Sequence, residues 1–184
     1  MKRMQKIETA IPGLLLLKPR VFEDDRGWFT ETYNEQAFVA SGLPARFVQD
    51  NQSHSHRGVL RGLHYQLGEP QGKLVRVTKG RVFDAVVDLR PGSGTFGKWA
   101  GFELSDTDHT TLWIPENFAH GFLVLSEWAD VLYKVTRPYN PATERTLRWN
   151  DPFIGIQWPC EGDPVLSAKD AEGRLWQDAD LPAE

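Results

Sequence analysis

The stretch KLVRVTKGRVFDAVVDLR, residues 73–90, restricts the fold more than any other part of this chain. Its β-branched and aromatic residues follow the two-residue period of a strand, with Phe83, Ala85, Val87 and Leu89 on one side and Asp84 and Asp88 on the other. Lys79 and Gly80 supply a turn between two strands. The same texture returns at residues 14–22, 27–33, 99–104, 111–114, 121–126 and 131–136. Sixteen Gly and 12 Pro punctuate these runs without gathering into a linker. About eight short strands at such spacing predict an all-β sandwich or jelly roll. Helix is sparse: residues 34–41 carry a cap at Asn34 and a stop at Gly42, and residues 167–172 suit a second short turn. Residues 152–164 lack a regular period and are expected to wrap the outside of the sheets. No repeat or low-complexity segment interrupts the pattern, and 184 residues make one domain the expectation.

Composition narrows the function. With 40% hydrophobic and 25% charged residues the chain is globular rather than disordered. Twenty-one basic against 25 acidic residues give a net charge of −4, the wrong sign for a surface that binds nucleic acid, so an anionic ligand must meet a local cluster of Arg and Lys. The single cysteine, Cys160, forbids an internal disulfide and any multi-cysteine zinc site. The basic start followed by Leu14 to Leu17 imitates a signal peptide, but the apolar run is too short and follows Pro12 and Gly13. A cytoplasmic protein without a membrane span is expected.

Three polar clusters interrupt the strand-like sequence: FVQDNQSHSHRGVLRGLHYQ (47–66), WIPENFAHGF (113–122) and LSAKDA (166–171). Four of the five histidines lie in the first two, which invites a transition-metal reading for a jelly roll through His54, His56, His64 and His120. The His-x-His pair that such a site wants fails at His64, which is followed two residues on by Gln66, while His54 and His56 sit in a serine-rich, loop-like stretch. The alternative is metal-free acid–base chemistry with His64 as base, a carboxylate fixing its tautomer. Spacing leaves Asp84, Asp88 and Asp170 all available for that carboxylate. Arg61 and Lys73 flank His64 on what looks like a hairpin of adjacent strands, Arg offering a fork for phosphate and Lys a compact charge for an oxyanion.

Taken in order, FEDDRGWFTETYN, FVQDNQS, GVLRGLHYQ, QGKLVRV, GRVFDAVVDLR, TFGKW, LWIPENFAHGFLVLS, LYKVT and LSAKDA resemble the dTDP-4-dehydrorhamnose 3,5-epimerase family over almost the whole chain. The resemblance implies a cupin-type jelly-roll barrel with a few short helices. It also implies a homodimer that exchanges N-terminal strands, and no metal or cofactor. It implies a dTDP-4-keto-6-deoxyhexose substrate, with His64 as base, Asp170 as its carboxylate partner, Lys73 beside the keto oxygen and Tyr133 as acid. Binding residues carried over from the same motifs are Arg26, Glu31, Gln49, Asp50, Asn51, Arg61, His120, Glu144 and Lys169, with Tyr139 as the aromatic that stacks on thymine. Two departures stand out. Arg137 and Pro138 replace an acidic or amide residue followed by an aromatic, and Asn117 replaces a Gly, a change that Asn tolerates because it accepts left-handed backbone.

Both ring carbons beside the ketone of such a sugar are acidified, because loss of either hydrogen gives an enolate. Inversion needs proton removal from one face and delivery to the other, so base and acid must stand on opposite sides of the sugar. The competing functions are a single-centre epimerase of another deoxysugar pathway, a metal-dependent cupin enzyme, and a sugar-binding protein without catalysis.

Overall fold

The computed structural model describes residues 4–183; residues 1–3, part of the basic start noted in the sequence, and residue 184 lie outside the described residues. Thirteen strands follow in chain order. The first five are β1 (Met4–Glu8), β2 (Leu15–Pro19), β3 (Val21–Asp24), β4 (Gly27–Thr30) and β5 (Gln49–His56), and helix α1 (Glu35–Ala40) precedes β5. Next come β6 (Leu60–Gln66), β7 (Lys73–Lys79), β8 (Arg81–Asp88) and β9 (Trp99–Ser105). The chain closes with β10 (Thr111–Ile114), β11 (Phe118–Val124), β12 (Trp128–Val135), β13 (Glu144–Thr146) and helix α2 (Ala168–Ala171). Both helices begin as the sequence indicates: Asn34 and Ser167 accept hydrogen bonds from the backbone of Ala37 and Asp170. Among the described residues no helix is long and apolar enough to cross a membrane.

Two antiparallel sheets face one another in a cupin-type jelly roll. One has six strands in the order β1-β2-β10-β7-β12-β5, the other five in the order β13-β6-β11-β8-β9, and β3-β4 form a separate hairpin. Val75, Leu112, Ile114 and Val131 of the first sheet meet Val82, Val86, Leu104, Phe118 and Val124 of the second in the central core. The outer faces are also covered. Helix α1 brings Phe38 onto Leu17, Leu74 and Trp113, and residues 154–181 lay Ile154, Ile156, Trp158 and Trp176 over Ala85, Val87 and Leu89. Such double coverage leaves β10 and β11 buried on both faces.

Four expectations need correction. The turn at Gly80 exists, at φ 77°, but β7 and β8 do not pair: the turn carries the chain from one sheet to the other, and a Cβ there would collide with the Trp128 carbonyl. For the same reason β6 and β7 are not adjacent strands of a hairpin but belong to opposing sheets. The serine-rich stretch of His54 and His56, expected to be loop-like, belongs instead to an eight-residue edge strand, residues 49–56, paired along its length with β12. The expected strand 14–22 is split after Pro19, whose nitrogen cannot donate to a ladder. Asn117 does adopt left-handed backbone, at φ 62°.

Candidate active site

A cavity of about 340 Å³ lies between the two sheets. The six-stranded sheet contributes Gln49, Asn51 and Ser53 from β5, Lys73 from β7 and Tyr133 from β12; the five-stranded sheet contributes Arg61, His64 and Gln66 from β6, His120 from β11 and Glu144 from β13. Tyr139 and Lys169 close the rim. The period of two sorts these residues. Along β5 the side chains of Gln49, Asn51 and Ser53 turn inward while Asp50, His54 and His56 turn out to solvent.

On β6 the period is broken to good effect. Arg61 and His64, three apart, should point to opposite faces, yet both line the cavity. The register supplies the reason: His64 opposes His120 and Arg61 opposes Phe122, so Gly62 and Leu63 together face the single residue Gly121. This bulge, with Gly62 at φ 125°, restores Arg61 to the inner face. The approach is close enough that a Cβ on Gly62 would lie 2.5 Å from the Gly121 Cα.

Each of the three aspartates that the sequence left open has its own partner. Asp170 accepts from His64 Nε2 at 2.6 Å, while its other oxygen accepts from Ser167 Oγ at 2.7 Å. Burial pushes the Asp170 carboxyl up, but the bonds from His64 and Ser167 outweigh it and hold the group below its ordinary value. A carboxylate beside Nε2 favours the proton there, so in the neutral ring Nδ1 carries the lone pair; the side chain is 29% exposed. Asp84 Oδ2 instead lies 2.8 Å from His120 Nε2; Asp84 is fully enclosed while His120 keeps a sliver of exposure to the cavity, and burial raises the Asp84 carboxyl in spite of the opposing fields of His120 and Lys73. Asp88 is structural, held by Arg90, Ser93 and Thr95.

Lys73 is 6% exposed, and burial drives its ammonium down to about 8 against the supporting fields of Glu144 and Asp84. Burial raises the Tyr133 phenol, with Arg61 opposing and Glu144 assisting, so Tyr133 retains its proton at neutral pH. Glu144 accepts from Lys169 at 2.8 Å and from the Tyr139 hydroxyl at 2.8 Å. Burial raises the Glu144 carboxyl, but these two bonds together with the fields of His64 and Lys169 hold it below its ordinary value.

Tyr139 itself is 49% exposed, a flat ring at the mouth. Its loop is gripped by three glutamines. Gln49 accepts from the Tyr139 backbone at 2.9 Å, Gln66 from that of Asn140 at 2.9 Å, and Gln71 donates to the Arg137 carbonyl at 2.8 Å. Arg137 and Pro138 are therefore accommodated with Tyr139 still on the cavity rim. Gln66 and Gln71 escaped the sequence reading, although Gln66 shares a strand face with His64, two residues away.

Other expected residues are not brought into the cavity of a single chain. Asp50 pairs with Lys134 at 2.8 Å on the outer face. Arg26 pairs with Asp24 on the β3–β4 hairpin, and Glu31, just beyond β4, accepts from Asn34. His54 binds Asp130 at 2.5 Å on the outer face and cannot join His64 and His120 around one ion, so the four-histidine metal reading fails on geometry. Among the described residues no group of three or more His, Cys, Asp or Glu is placed to hold a metal ion.

A histidine–carboxylate pair stands on one wall of the cavity, and a protonated tyrosine and a buried ammonium stand on the other, a set of groups suited to acid–base chemistry. A profile of the dTDP-4-dehydrorhamnose 3,5-epimerase family matches residues 8–178. The dTDP-4-dehydrorhamnose 3,5-epimerase of Pseudomonas aeruginosa is 56% identical over 96% of this chain and 98% of its own. The crystal structure of the dTDP-6-deoxy-D-glucose-3,5-epimerase of Legionella pneumophila with dTDP-4-keto-L-rhamnose superposes at a TM-score of 0.95, with 45% identity over 98% of both chains. A 3′-monoepimerase from Streptomyces bikiniensis in complex with dTDP-quinovose superposes at 0.89, with 32% identity over 95% of this chain and 91% of that one. The chain belongs to the dTDP-4-dehydrorhamnose 3,5-epimerase family and is an isomerase.

Proposed function

We propose that this enzyme inverts both carbons flanking the ketone of dTDP-4-dehydro-6-deoxy-D-glucose, giving dTDP-4-dehydro-L-rhamnose without net redox change. The observation that carries the reading is that His64 projects from the five-stranded sheet and Tyr133 from the six-stranded one. A sugar between them meets a base on one face and an acid on the other. His64 Nδ1 takes the proton, the electron pair of the broken C–H bond passes into the carbonyl, and an enolate forms. Tyr133 then delivers a proton to the opposite face. Imidazolium and phenolate recover their original states by proton exchange before the second inversion. Lys73 opposes a charge that exists only once the C–H bond breaks, so it favours the transition state over bound substrate.

Binding is assigned to the remaining cavity residues. Arg61 and Lys169 supply the local positive field that the net charge of −4 withholds. Tyr139 takes the thymine ring, and Gln49, Asn51, His120 and Glu144 orient sugar and nucleotide. Arg26, Glu31 and Asp50 act in a homodimer that exchanges N-terminal strands, in which the β3–β4 hairpin reaches a second copy's cavity. Phe22, Trp28 and Phe29 of that hairpin are 48–68% exposed in the single chain, a cost that burial against a second copy removes.

Proton NMR of the keto-sugar nucleotide with enzyme in deuterated water, coupled to a reductase that traps the product, tests the chemistry. Deuterium at both flanking carbons with an L-rhamno product is expected. Exchange at one carbon makes the enzyme a single-centre epimerase, like the Streptomyces bikiniensis neighbour, and no exchange overturns acid–base catalysis.

A further inference from the structure

Asp84 has no part in the proton transfers described above, yet it is fully enclosed in the barrel beside the groups that do. One oxygen is used by His120; the other, Oδ1, is buried with no hydrogen-bond partner in the described structure. A buried carboxylate oxygen left unpaired costs on the order of 1–3 kcal/mol or more, and packing does not require it, since an apolar residue would fill the same place between Val82 and Val86. Its neighbourhood supplies a reason. The titratable and charged groups around Lys73 are Asp84 from β8, His120 from β11, Arg61 and His64 from β6, Tyr133 from β12 and Glu144 from β13. Of the two carboxylates whose fields support the ammonium, Glu144 is already engaged by Lys169 and Tyr139. Only Asp84 combines proximity with an oxygen that nothing else claims.

On the proposed enolate chemistry, we infer that Asp84 is a positioning residue: from behind the cavity wall it supplies the counter-charge for Lys73 and fixes the ring of His120, without touching the sugar. A counter-charge held at a distance keeps all three ammonium protons free for the developing oxyanion, whereas a direct ion pair would occupy one. By anchoring His120 through Nε2, the same carboxylate leaves Nδ1 as the ring nitrogen free to serve substrate.

Asp84→Asn keeps the shape and removes the charge. Lys73 can be followed by ¹⁵N NMR of its side chain in substrate-free protein, and kcat and KM measured from pH 6 to 10. The Lys73 titration is expected to move to lower pH, and the alkaline limb of kcat to move with it while KM changes less than about threefold. For a displacement of one pH unit the charged fraction at pH 8 falls about fivefold. A folded variant whose Lys73 titration and alkaline limb are both unmoved overturns the inference. Should Asp84→Asn not fold, Asp84→Ala assayed with added formate replaces it. Recovery of the alkaline limb with formate supports the role, and a folded variant insensitive to formate overturns it. Because the NMR titration needs no substrate, it stands apart from the deuterium experiment, whose failure would sink the enolate chemistry while leaving the charge of Lys73 measurable.

Discussion

Replacing Lys73 by Met should make the protein more stable and nearly inactive. Lys73 is 6% exposed, and its ammonium titrates at about 8 rather than at the ordinary 10.5. Each unit of depression is about 1.4 kcal/mol of unfavourable interaction for the charged form, so keeping Lys73 protonated in the folded state at pH 7 costs about 3 kcal/mol. Methionine fills a similar volume without that charge. The gain is partly offset because Asp84 and Glu144 lose the cation that supports their ionisation. Asp84, already raised by burial, can relieve this by taking up a proton. For a chain of this size about 3 kcal/mol corresponds to roughly 6–12 °C in Tm, an upper figure.

The pH dependence makes the test specific. Below about 8 both folded and unfolded chains carry the proton, and the full cost is present. Between about 8 and 10.5 the unfolded chain holds a proton that the folded chain has released, so the wild type gains stability as pH rises. Urea denaturation of both proteins should show the variant ahead at pH 7 and the gap closing towards pH 10. A variant less stable than wild type at pH 7, or a gap independent of pH, would refute the reasoning. In the same samples kcat should drop on the order of 10²–10³-fold with KM little changed, the loss expected when a preorganised oxyanion partner is removed.

His64→Ala should abolish deuterium exchange and turnover together: the other cavity histidine held by a carboxylate, His120, is 7% exposed beside Asp84 and is assigned to binding rather than to proton removal. Tyr133→Phe should depress product formation more than exchange, as measured by NMR; equal losses would mean that Tyr133 is not simply the acid of the opposite face. Asp170→Asn replaces the charged acceptor beside Nε2 with a neutral amide that can also donate and so favour the other tautomer, and should lower kcat at least 10²-fold while circular dichroism stays native. Gly62→Ala should be severely destabilising, because an L-residue is strained at φ 125° and the added Cβ meets Gly121 Cα at 2.5 Å; a melting temperature within 2 °C of wild type, ~0.5–1 kcal/mol for a domain of this size, would show that the bulge can open at little cost.

What could be read from the chain before folding follows its local physics. Asn34 and Ser167 cap helices through contacts within three residues, so both helices were legible, as were most strands with a clear two-residue period. Partnership between strands was not. Gly80 announces a turn, but whether the turn pairs β7 with β8 or passes β8 to the other sheet depends on β10, β11 and β12, which arrive later in the chain. Likewise Asp84, Asp88 and Asp170 are equivalent as letters, and only the folded structure assigns them to His120, to the Arg90 loop and to His64. Resemblance had suggested the last of these pairs; spacing over 106 residues could not.

The alternation of β8 was correctly read as two faces, Phe83, Ala85, Val87 and Leu89 against Asp84 and Asp88, and its usual meaning is reversed. A half-buried strand normally turns its carboxylates to water. Here the C-terminal segment covers the apolar face from outside, which makes the face bearing Asp84 the interior one. On the proposed chemistry that inversion has a use: a cavity that holds Lys73 charged and a histidine fixed needs its counter-charges inside the barrel. The covering segment then seals the sheet's opposite face. A variant truncated before Trp176, which stacks on Phe153 with ring centroids 5.2 Å apart, should therefore lose kcat as well as stability, since Trp176, Ala179 and Leu181 pack on the cluster that holds Ala85 and Val87, on the outer face of the strand that presents Asp84. Full kcat in a truncated protein with a lowered melting temperature would show that the site needs only the sheets.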